Sequence, residues 1–204
     1  MSAAAEFAAV LRRRATGGRR IVAGIAGEPG AGKSTLAAAV AVELGPDTVV
    51  LPMDGFHLPQ ARLVELGRRD RMGAPDTFDV PGFVGVLREV RADSGPVDAP
   101  GFDRDVEEPV PDSIRIAPAH RIVVVEGNYL LHVADGWEQV AAQLDVTGFI
   151  RIDPGIRHER LIARHIAFGK TPDAARAWAL GPDEANAALI RAGADHADMR
   201  LPVD

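Results

Sequence analysis

The chain contains little or none of several residue types on which whole classes of function depend. Cysteine is absent, which excludes disulfide bonds, thiolate zinc sites and cysteine nucleophiles. No apolar run is long enough to span a bilayer, so we expect no membrane partner. Lysine occurs only twice, at Lys33 and Lys170, and arginine carries the remaining positive charge. The surroundings of each lysine are therefore informative.

The rest of the composition is that of an ordinary globular protein. The 204 residues are 47% hydrophobic and 25% charged, which predicts one domain over residues 1–204 with a full core. The net charge of −6 argues against nucleic acid as a partner. These features fit a cytoplasmic protein, and they leave open whether it is a monomer or a homodimer.

Strand-like apolar runs alternate with helical segments along most of the chain. Alternating βα units predict an α/β fold with a mostly parallel sheet and helices on both faces. The predicted strands are residues 21–26, 48–51, 121–126, 145–152 and 196–201. The predicted helices are residues 3–13, 33–44, 60–66, 83–91, 137–143, 154–167, 172–180 and 183–192. Residues 92–119 break the alternation and are predicted to form a hairpin or an ordered loop over one end of the sheet.

Lys33 lies in a segment that matches the pattern G-x-x-x-x-G-K-[ST]. A predicted strand precedes the segment and a predicted helix follows it, an arrangement that points backbone N–H groups at phosphate oxygens. Lys33 itself is predicted to reach the β- and γ-phosphates of a nucleotide. A chance glycine-rich turn is the alternative, and the flanking elements argue against it. The predicted nucleotide-binding residues are Gly27, Glu28, Pro29, Gly30, Ala31, Gly32, Lys33, Ser34 and Thr35.

Two carboxylates follow predicted strands. Glu126 ends an apolar run, and it is predicted to hold Mg²⁺ together with the Ser34 hydroxyl. The alternative for Glu126 is an ordinary acid that caps a loop. Asp54 follows the second strand, where a catalytic carboxylate could align an acceptor hydroxyl and accept its proton. The alternative for Asp54 is a turn-forming Asp-Gly pair.

A set of arginines follows the fourth predicted strand. Arg157, Arg160 and Arg164 recur at helical spacing and share one face. Such a face above the phosphates would stabilise the charge that spreads during phosphoryl transfer, so Arg160 and Arg164 are predicted as catalytic residues. The break after this helix predicts a mobile lid over residues 154–172. The alternative is a solvated basic face.

Turn-rich segments supply further candidates for binding a phosphate acceptor. Residues 71–81 and 100–104 are polar and aromatic, and they could wall an acceptor pocket or be ordinary loops. Arg71 and Arg104 are the charged candidates there. His57 could bind the acceptor or be a buried structural histidine.

Together these segments resemble the phosphoribulokinase/uridine kinase family of P-loop kinases over most of the chain, from about residue 21 to residue 190. The matching motifs are GEPGAGKST (27–35), MDGFH (53–57), GAPDTFD (73–79), PGFDR (100–104), VVVEGNYLL (123–131) and RLIARHIAFGKTP (160–172). Only the first motif is specific by itself. The order and spacing of all six are strongly specific together.

The resemblance implies a three-layer P-loop sandwich with a parallel five-stranded sheet of order 2-3-1-4-5. It also implies ATP as the donor, Mg²⁺ as the cofactor and a hydroxyl of a small metabolite as the acceptor. By this resemblance Asp54 is the catalytic aspartate, Arg160 and Arg164 are lid arginines, and Arg104 touches the acceptor. Tyr129 belongs to a stretch that looks like bacterial fructokinase-like and nucleoside/nucleotide kinase-like members, and it is a further acceptor-binding candidate.

One departure from the family pattern bears on the acceptor. Uridine kinases usually carry Asp-Ser-Phe-Tyr where this chain has Asp54-Gly55-Phe56-His57, a form similar to pantothenate kinases and to the bacterial members named above. A sugar, a nucleoside and a pantothenate-like molecule therefore all remain candidate acceptors. A nucleotide-dependent switch or assembly ATPase is the alternative function, because it would use the same loop without any acceptor.

Overall fold

The computed structural model describes residues 2–203, which form two β-sheets and their covering helices. The strands are β1 (Ile21–Ala26), β2 (Thr48–Pro52), β3 (Val97–Asp103), β4 (Glu108–Ile116), β5 (Ile122–Gly127), β6 (Val146–Arg151) and β7 (Met199–Pro202). The helices are α1 (Ala3–Arg14), α2 (Lys33–Leu44), α3 (Gln60–Glu65), α4 (Val80–Ala92), α5 (Glu138–Ala141), α6 (Pro154–Ala167), α7 (Pro172–Leu180) and α8 (Pro182–Ala192). None of the helices in this described range is long and apolar enough to cross a bilayer.

The main sheet contains β2, β5, β1, β6 and β7 in this spatial order, and every neighbouring pair is parallel. Counted along the chain within this sheet, the order is 2-3-1-4-5, as the resemblance implied. The neighbouring strands β1 and β5 are buried at every residue, which explains their continuous apolar runs. Because all five strands are parallel, the loops that follow their carboxyl ends meet at one edge of the sheet.

Helices cover both faces of the main sheet. Successive residues of β1 alternate between two core clusters, so that Ile21 belongs to one and Val22 to the other. The cluster on the first face includes Phe7 of α1 and packs α1 and α2 on the sheet. The cluster on the second face includes Phe83 of α4 and the buried Trp137. The predicted three-layer α/β class is therefore confirmed.

A hairpin of β3 and β4 forms a separate two-stranded antiparallel sheet within the segment that interrupts the βα alternation. The hairpin packs against a 3-10 turn, Met53–Phe56, which directly follows β2. Gly55 permits this close approach, because a Cβ there would lie 2.7 Å from the carbonyl carbon of Pro100. The hairpin thereby brings Arg104, which follows β3, to the carboxyl end of β2.

Several predicted boundaries differ from the observed ones. Helix α4 begins at Val80 because the Asp79 side chain caps it by accepting a hydrogen bond from the Gly82 N–H, and Pro81 suits the first turn. The last predicted strand shortens to β7, because a 3-10 turn occupies Ala194–His196. Helix α5 is also shorter than predicted, whereas β1, α2, α6 and α7 have the predicted bounds.

Candidate active site

The phosphate-binding loop joins β1 to α2 at the carboxyl edge of the main sheet. Gly30 and Gly32 have φ values of +80° and +88°, a conformation that side chains other than glycine rarely adopt. Gly32 is the N-cap of α2 and has no side chain to occupy the first helical N–H groups, which suits them to bind an anion. Six of the predicted loop residues line a cavity of about 500 Å³, namely Pro29, Gly30, Gly32, Lys33, Ser34 and Thr35.

The other predicted loop residues support the loop from behind. Gly27 and Ala31 are buried beneath it. The Glu28 carboxylate contacts Arg157 of α6 instead of lining the cavity. The loop pattern therefore predicts nine nucleotide-binding residues, whereas six of them line the cavity.

Lys33 is held in place by the loop that contains it. Its Nζ donates a hydrogen bond to the backbone carbonyl of Glu28 over 3.1 Å. Loss of solvation lowers the pKa of the Lys33 ammonium, while the nearby carboxylates of Glu126 and Asp54 act in the opposite direction. The two predicted carboxylates and the lysine thus share one electrostatic environment.

Ser34 and Glu126 lie in direct contact at the start of α2 and the end of β5. The Ser34 hydroxyl donates a hydrogen bond to Glu126 Oε1 over 2.8 Å, and Glu126 is only 3% exposed. Burial raises the pKa of the Glu126 carboxyl, and the Asp54 charge raises it further. A buried carboxylate beside a hydroxyl, with negative charge near it, is a donor set that fits Mg²⁺. In residues 2–203 no group of three or more histidine or acidic side chains could hold a metal.

Asp54 lies in the 3-10 turn after β2 and lines the same cavity as the loop. Arg104 Nη2 donates a hydrogen bond to Asp54 Oδ2 over 2.9 Å, so the hairpin reaches the candidate base directly. The Asp54 side chain is 26% exposed and that of Arg104 is 48% exposed, so an incoming molecule can compete for this contact. Asp54 therefore lies in the Asp-Gly turn and also faces the cavity, and its role as a base stays a prediction.

His57 is packed as a structural histidine would be, and its role in binding the acceptor stays a prediction. Its ring lies 4.0 Å from the ring of Phe78 and 4.9 Å from that of Phe102, centroid to centroid. Its Nδ1 lies 2.9 Å from the Asp54 carbonyl oxygen. Burial lowers the pKa of the imidazole. His57 is thus packed between aromatic rings and also lines the cavity.

The three arginines on this face of α6 have two different kinds of surroundings. Arg160 and Arg164 line the cavity, and Arg160 Nη1 lies 3.8 Å from where a Cβ on Gly32 would be. Arg157 is only 1% exposed and contacts Glu28 and Glu184 instead. The i, i+3 and i+7 spacing does not distinguish these roles, because side chains one turn apart meet different neighbours.

Two predicted acceptor-binding residues lie outside the cavity. Tyr129 is fully buried, and its hydroxyl donates a hydrogen bond to the Gly73 carbonyl over 2.6 Å, so it supports the cavity wall from behind. Arg71 turns outward and pairs with Asp76. Arg69, at the other end of the same 3-10 turn, lines the cavity in its place. These positions correct the direct contacts predicted for Tyr129 and Arg71.

One wall of the cavity was predicted only in part, because Lys170 lies in the predicted lid but the other residues of the wall were not singled out. It comes from α7, α8 and the segment before α7, with the lining residues Lys170, Trp178, Asp183 and Asn186. Lys170 Nζ lies 4.6 Å from the centroid of the Trp178 ring. Helices α7 and α8 carry no catalytic motif, so no sequence signal singled out Trp178, Asp183 or Asn186.

Comparisons with known proteins point to kinases. No protein-family model matches the chain. The ATP-dependent kinase-like protein notR' of Aspergillus versicolor is 38% identical over 133 residues, 61% of this chain and 77% of that protein. A Schizosaccharomyces pombe protein provisionally named uridine kinase C227.14 is 34% identical over 164 residues, 74% of this chain and 68% of that protein.

A solved structure leads to the same group. The crystal structure of a Silicibacter sp. TM1040 protein, provisionally named a fructose transport system kinase, is 37% identical in sequence. The match covers 99% of this chain and 100% of that one, with a TM-score of 0.88. The chain therefore belongs to the phosphoribulokinase/uridine kinase family of P-loop kinases.

Proposed function

We propose that the protein transfers the γ-phosphoryl group of ATP to a hydroxyl of a sugar, a nucleoside or a pantothenate-like molecule. Its family supports ATP as the donor and a small metabolite as the acceptor. One observation carries the proposal beyond the family. A single cavity contains the phosphate loop, the Asp54 carboxylate and the two lid arginines, Arg160 and Arg164.

In this proposal the donor side of the cavity is built from α2 and α6. The loop N–H groups and Lys33 hold the nucleotide phosphates. Arg160 extends over the loop near Gly32, and Arg164 lies one turn further along α6. Both guanidiniums can stabilise the charge on the γ-phosphoryl oxygens while the bond to the leaving oxygen breaks.

Asp54 is the proposed general base on the acceptor side. Its carboxylate orients the acceptor hydroxyl and takes the proton as the new P–O bond forms. The acceptor hydroxyl must share or displace the Arg104 contact, which occupies one Asp54 oxygen at 2.9 Å. Arg104 can then bind the acceptor, as can His57 and Arg69 on the same wall.

Ser34 and Glu126 are the proposed protein ligands of Mg²⁺. When bound there, the ion would supply positive charge that offsets part of the negative charge of the phosphates. The nucleotide phosphates and water would complete the ligand set, since residues 2–203 contain no group of three or more histidine or acidic side chains that could hold the ion alone. This division of ligands between protein and phosphates is typical of Mg²⁺ in kinases.

Release of ADP in the presence of candidate acceptors tests the proposal. We expect ATP turnover to depend on one class within a panel of sugars, nucleosides and pantothenate. Asp54→Asn should lower kcat by about 10²–10⁴-fold, the usual contribution of a general base, without changing the Kd for ATP. ATP turnover that needs no acceptor and survives Asp54→Asn would instead support a switch or assembly ATPase.

Asp98→Asn is the matched control for that experiment. Asp98 also pairs with an arginine, Arg115, at 2.9 Å, but it lies in β3 away from the cavity and is 41% exposed. Its loss should therefore leave kcat unchanged. A comparable loss of kcat in both variants would mean that hairpin stability, and not a base at Asp54, limits the activity.

A further inference from the structure

Glu28, the second residue of the phosphate loop, connects that loop to two distant helices. Its carboxylate lies 2.9 Å from Nε of Arg157 in α6 and 3.1 Å from Nη1 of Arg191 in α8. Its backbone carbonyl accepts the hydrogen bond from Lys33 Nζ. One residue therefore joins α6 and α8 to the lysine that is expected to bind phosphate.

The charges around Glu28 are balanced by a second carboxylate. Glu184 of α8 contacts Arg157, and it lies 2.6 Å from Nη2 of Arg191. Two guanidiniums thus face two carboxylates. Arg157 is almost fully buried, and a buried cation requires paired carboxylates to offset its lost hydration. Pairing of Arg157 with Glu184 alone would hold α6 to α8. The additional contact of Arg157 with Glu28 also holds the phosphate loop to these two helices.

The backbone of the loop also packs directly on α6. A Cβ on Gly30 would lie 2.7 Å from Leu161 Cγ and 3.0 Å from the Arg157 carbonyl oxygen. Arg160, one turn beyond Arg157, is the residue that extends over Gly32. The packing of Arg157 against the loop therefore fixes where Arg160 lies relative to Gly32.

We propose that Glu28, Arg157 and Arg191 form a clamp whose function is to position Lys33 and the lid arginines for the phosphates of ATP. These are positioning residues, because they act through Lys33 and Arg160 and touch no phosphate themselves. The inference rests on the proposed function only for the identity of the nucleotide, and it requires no acceptor.

Titration calorimetry with Mg²⁺ and ATP on the full chain tests the clamp. Glu28→Gln and Arg157→Met should each weaken ATP binding by about 10-fold, as removal of an outer partner of a ligand-binding group commonly does. The double variant should bind ATP about as weakly as the weaker single variant, because each single change already removes the Glu28–Arg157 contact. Arg157→Lys keeps the charge and should recover part of the affinity.

Thermal unfolding separates positioning from a purely structural role. A structural role would lower Tm while leaving the Kd for ATP, measured well below Tm, unchanged. If Arg157→Met does not fold, Arg191→Met tests the same carboxylate, because the Arg191 side chain is 41% exposed and its removal leaves no cavity. Arg62→Met, which removes a surface pair with Glu65, is the control and should change neither quantity.

The clamp is refuted if folded Glu28→Gln and Arg191→Met bind ATP with Kd values within about twofold of the wild-type value. Loss of a contact that positions Lys33 should change the Kd by more than this. The proposed function fails separately. A wild-type protein that binds ATP but phosphorylates no acceptor would refute the proposed transfer and leave the clamp unaffected.

Discussion

Gly55 is the position at which a single methyl group should displace the acceptor side of the cavity without touching the nucleotide side. A Cβ there would lie 2.7 Å from the carbonyl carbon of Pro100, whereas ordinary contacts of this kind begin at 3.4 Å. The obstructing atoms belong to the backbone of β3, so no side-chain rotation relieves the overlap. The Pro100 carbonyl oxygen would lie closer still, so in Gly55→Ala the hairpin must retreat by more than about 0.7 Å, the difference between these two distances.

This displacement has two measurable consequences. Overpacking of this kind costs about 1–3 kcal/mol of unfolding free energy, and each kcal/mol lowers Tm by about 2–4 °C for a chain of this size. The Arg104–Asp54 hydrogen bond, now 2.9 Å, would lengthen beyond hydrogen-bonding distance. We expect KM for the acceptor to rise by about 10-fold or more, with the Kd for ATP unchanged. Chemical denaturation, acceptor kinetics and calorimetry with ATP measure the three quantities.

Gly85→Ala is the control for that substitution. Gly85 lies inside α4, and a Cβ there would meet nothing within 4 Å. Alanine is expected to stabilise the helix by about 0.5–1 kcal/mol, because it restricts the unfolded chain and favours helix. Wild-type stability together with wild-type acceptor KM in Gly55→Ala would refute the view that hairpin packing positions the acceptor site.

Three further predictions concern buried and charged groups. Tyr129→Phe should cost about 1–2 kcal/mol of unfolding free energy in denaturant titration, because the Gly73 carbonyl loses its donor; no change would contradict this. Burial raises the pKa of the Glu184 carboxyl, but hydrogen bonds from arginine and histidine outweigh it and lower the pKa to about 2. The contribution of Glu184 to the unfolding free energy is therefore present above its unfolded pKa and lost as pH falls toward 2. In Glu184→Gln the unfolding free energy should depend less on pH between pH 5 and pH 2. Glu126→Gln should raise the Mg²⁺ concentration that supports half-maximal turnover by about 10-fold or more, and an unchanged Mg²⁺ titration would remove Glu126 from the metal site.

The elements that were predicted well are those whose signals are local. Helix α2 follows a glycine loop and ends at Gly45, and α6 begins at a proline, so their bounds could be assigned from neighbouring residues. The main sheet was predictable because its buried parallel strands are short apolar runs. The boundaries of α4 and β7 were less accurate, because capping by Asp79 and the 3-10 turn Ala194–His196 override the apolar pattern.

The sequence alone determined the phosphate loop, the carboxylates Asp54 after β2 and Glu126 at the end of β5, and the arginine helix. Each is a short motif whose chemistry depends on adjacent residues, so its role can be predicted before the fold is known. Asp54, Glu126 and Lys33 share one cavity because parallel strands end at one edge, which the alternation of elements already implied.

Only the tertiary structure shows that Arg160 and Arg164 of α6 face the cavity and that Arg157 is paired with Glu28. It also decided that Tyr129 supports Gly73 from behind, and that α7 and α8 supply one cavity wall. These contacts join residues far apart in the chain, such as Glu28 and Arg191, and residue spacing carries no information about which distant side chains meet. Packing of whole elements selects such pairs, so they follow from the fold and not from any one segment.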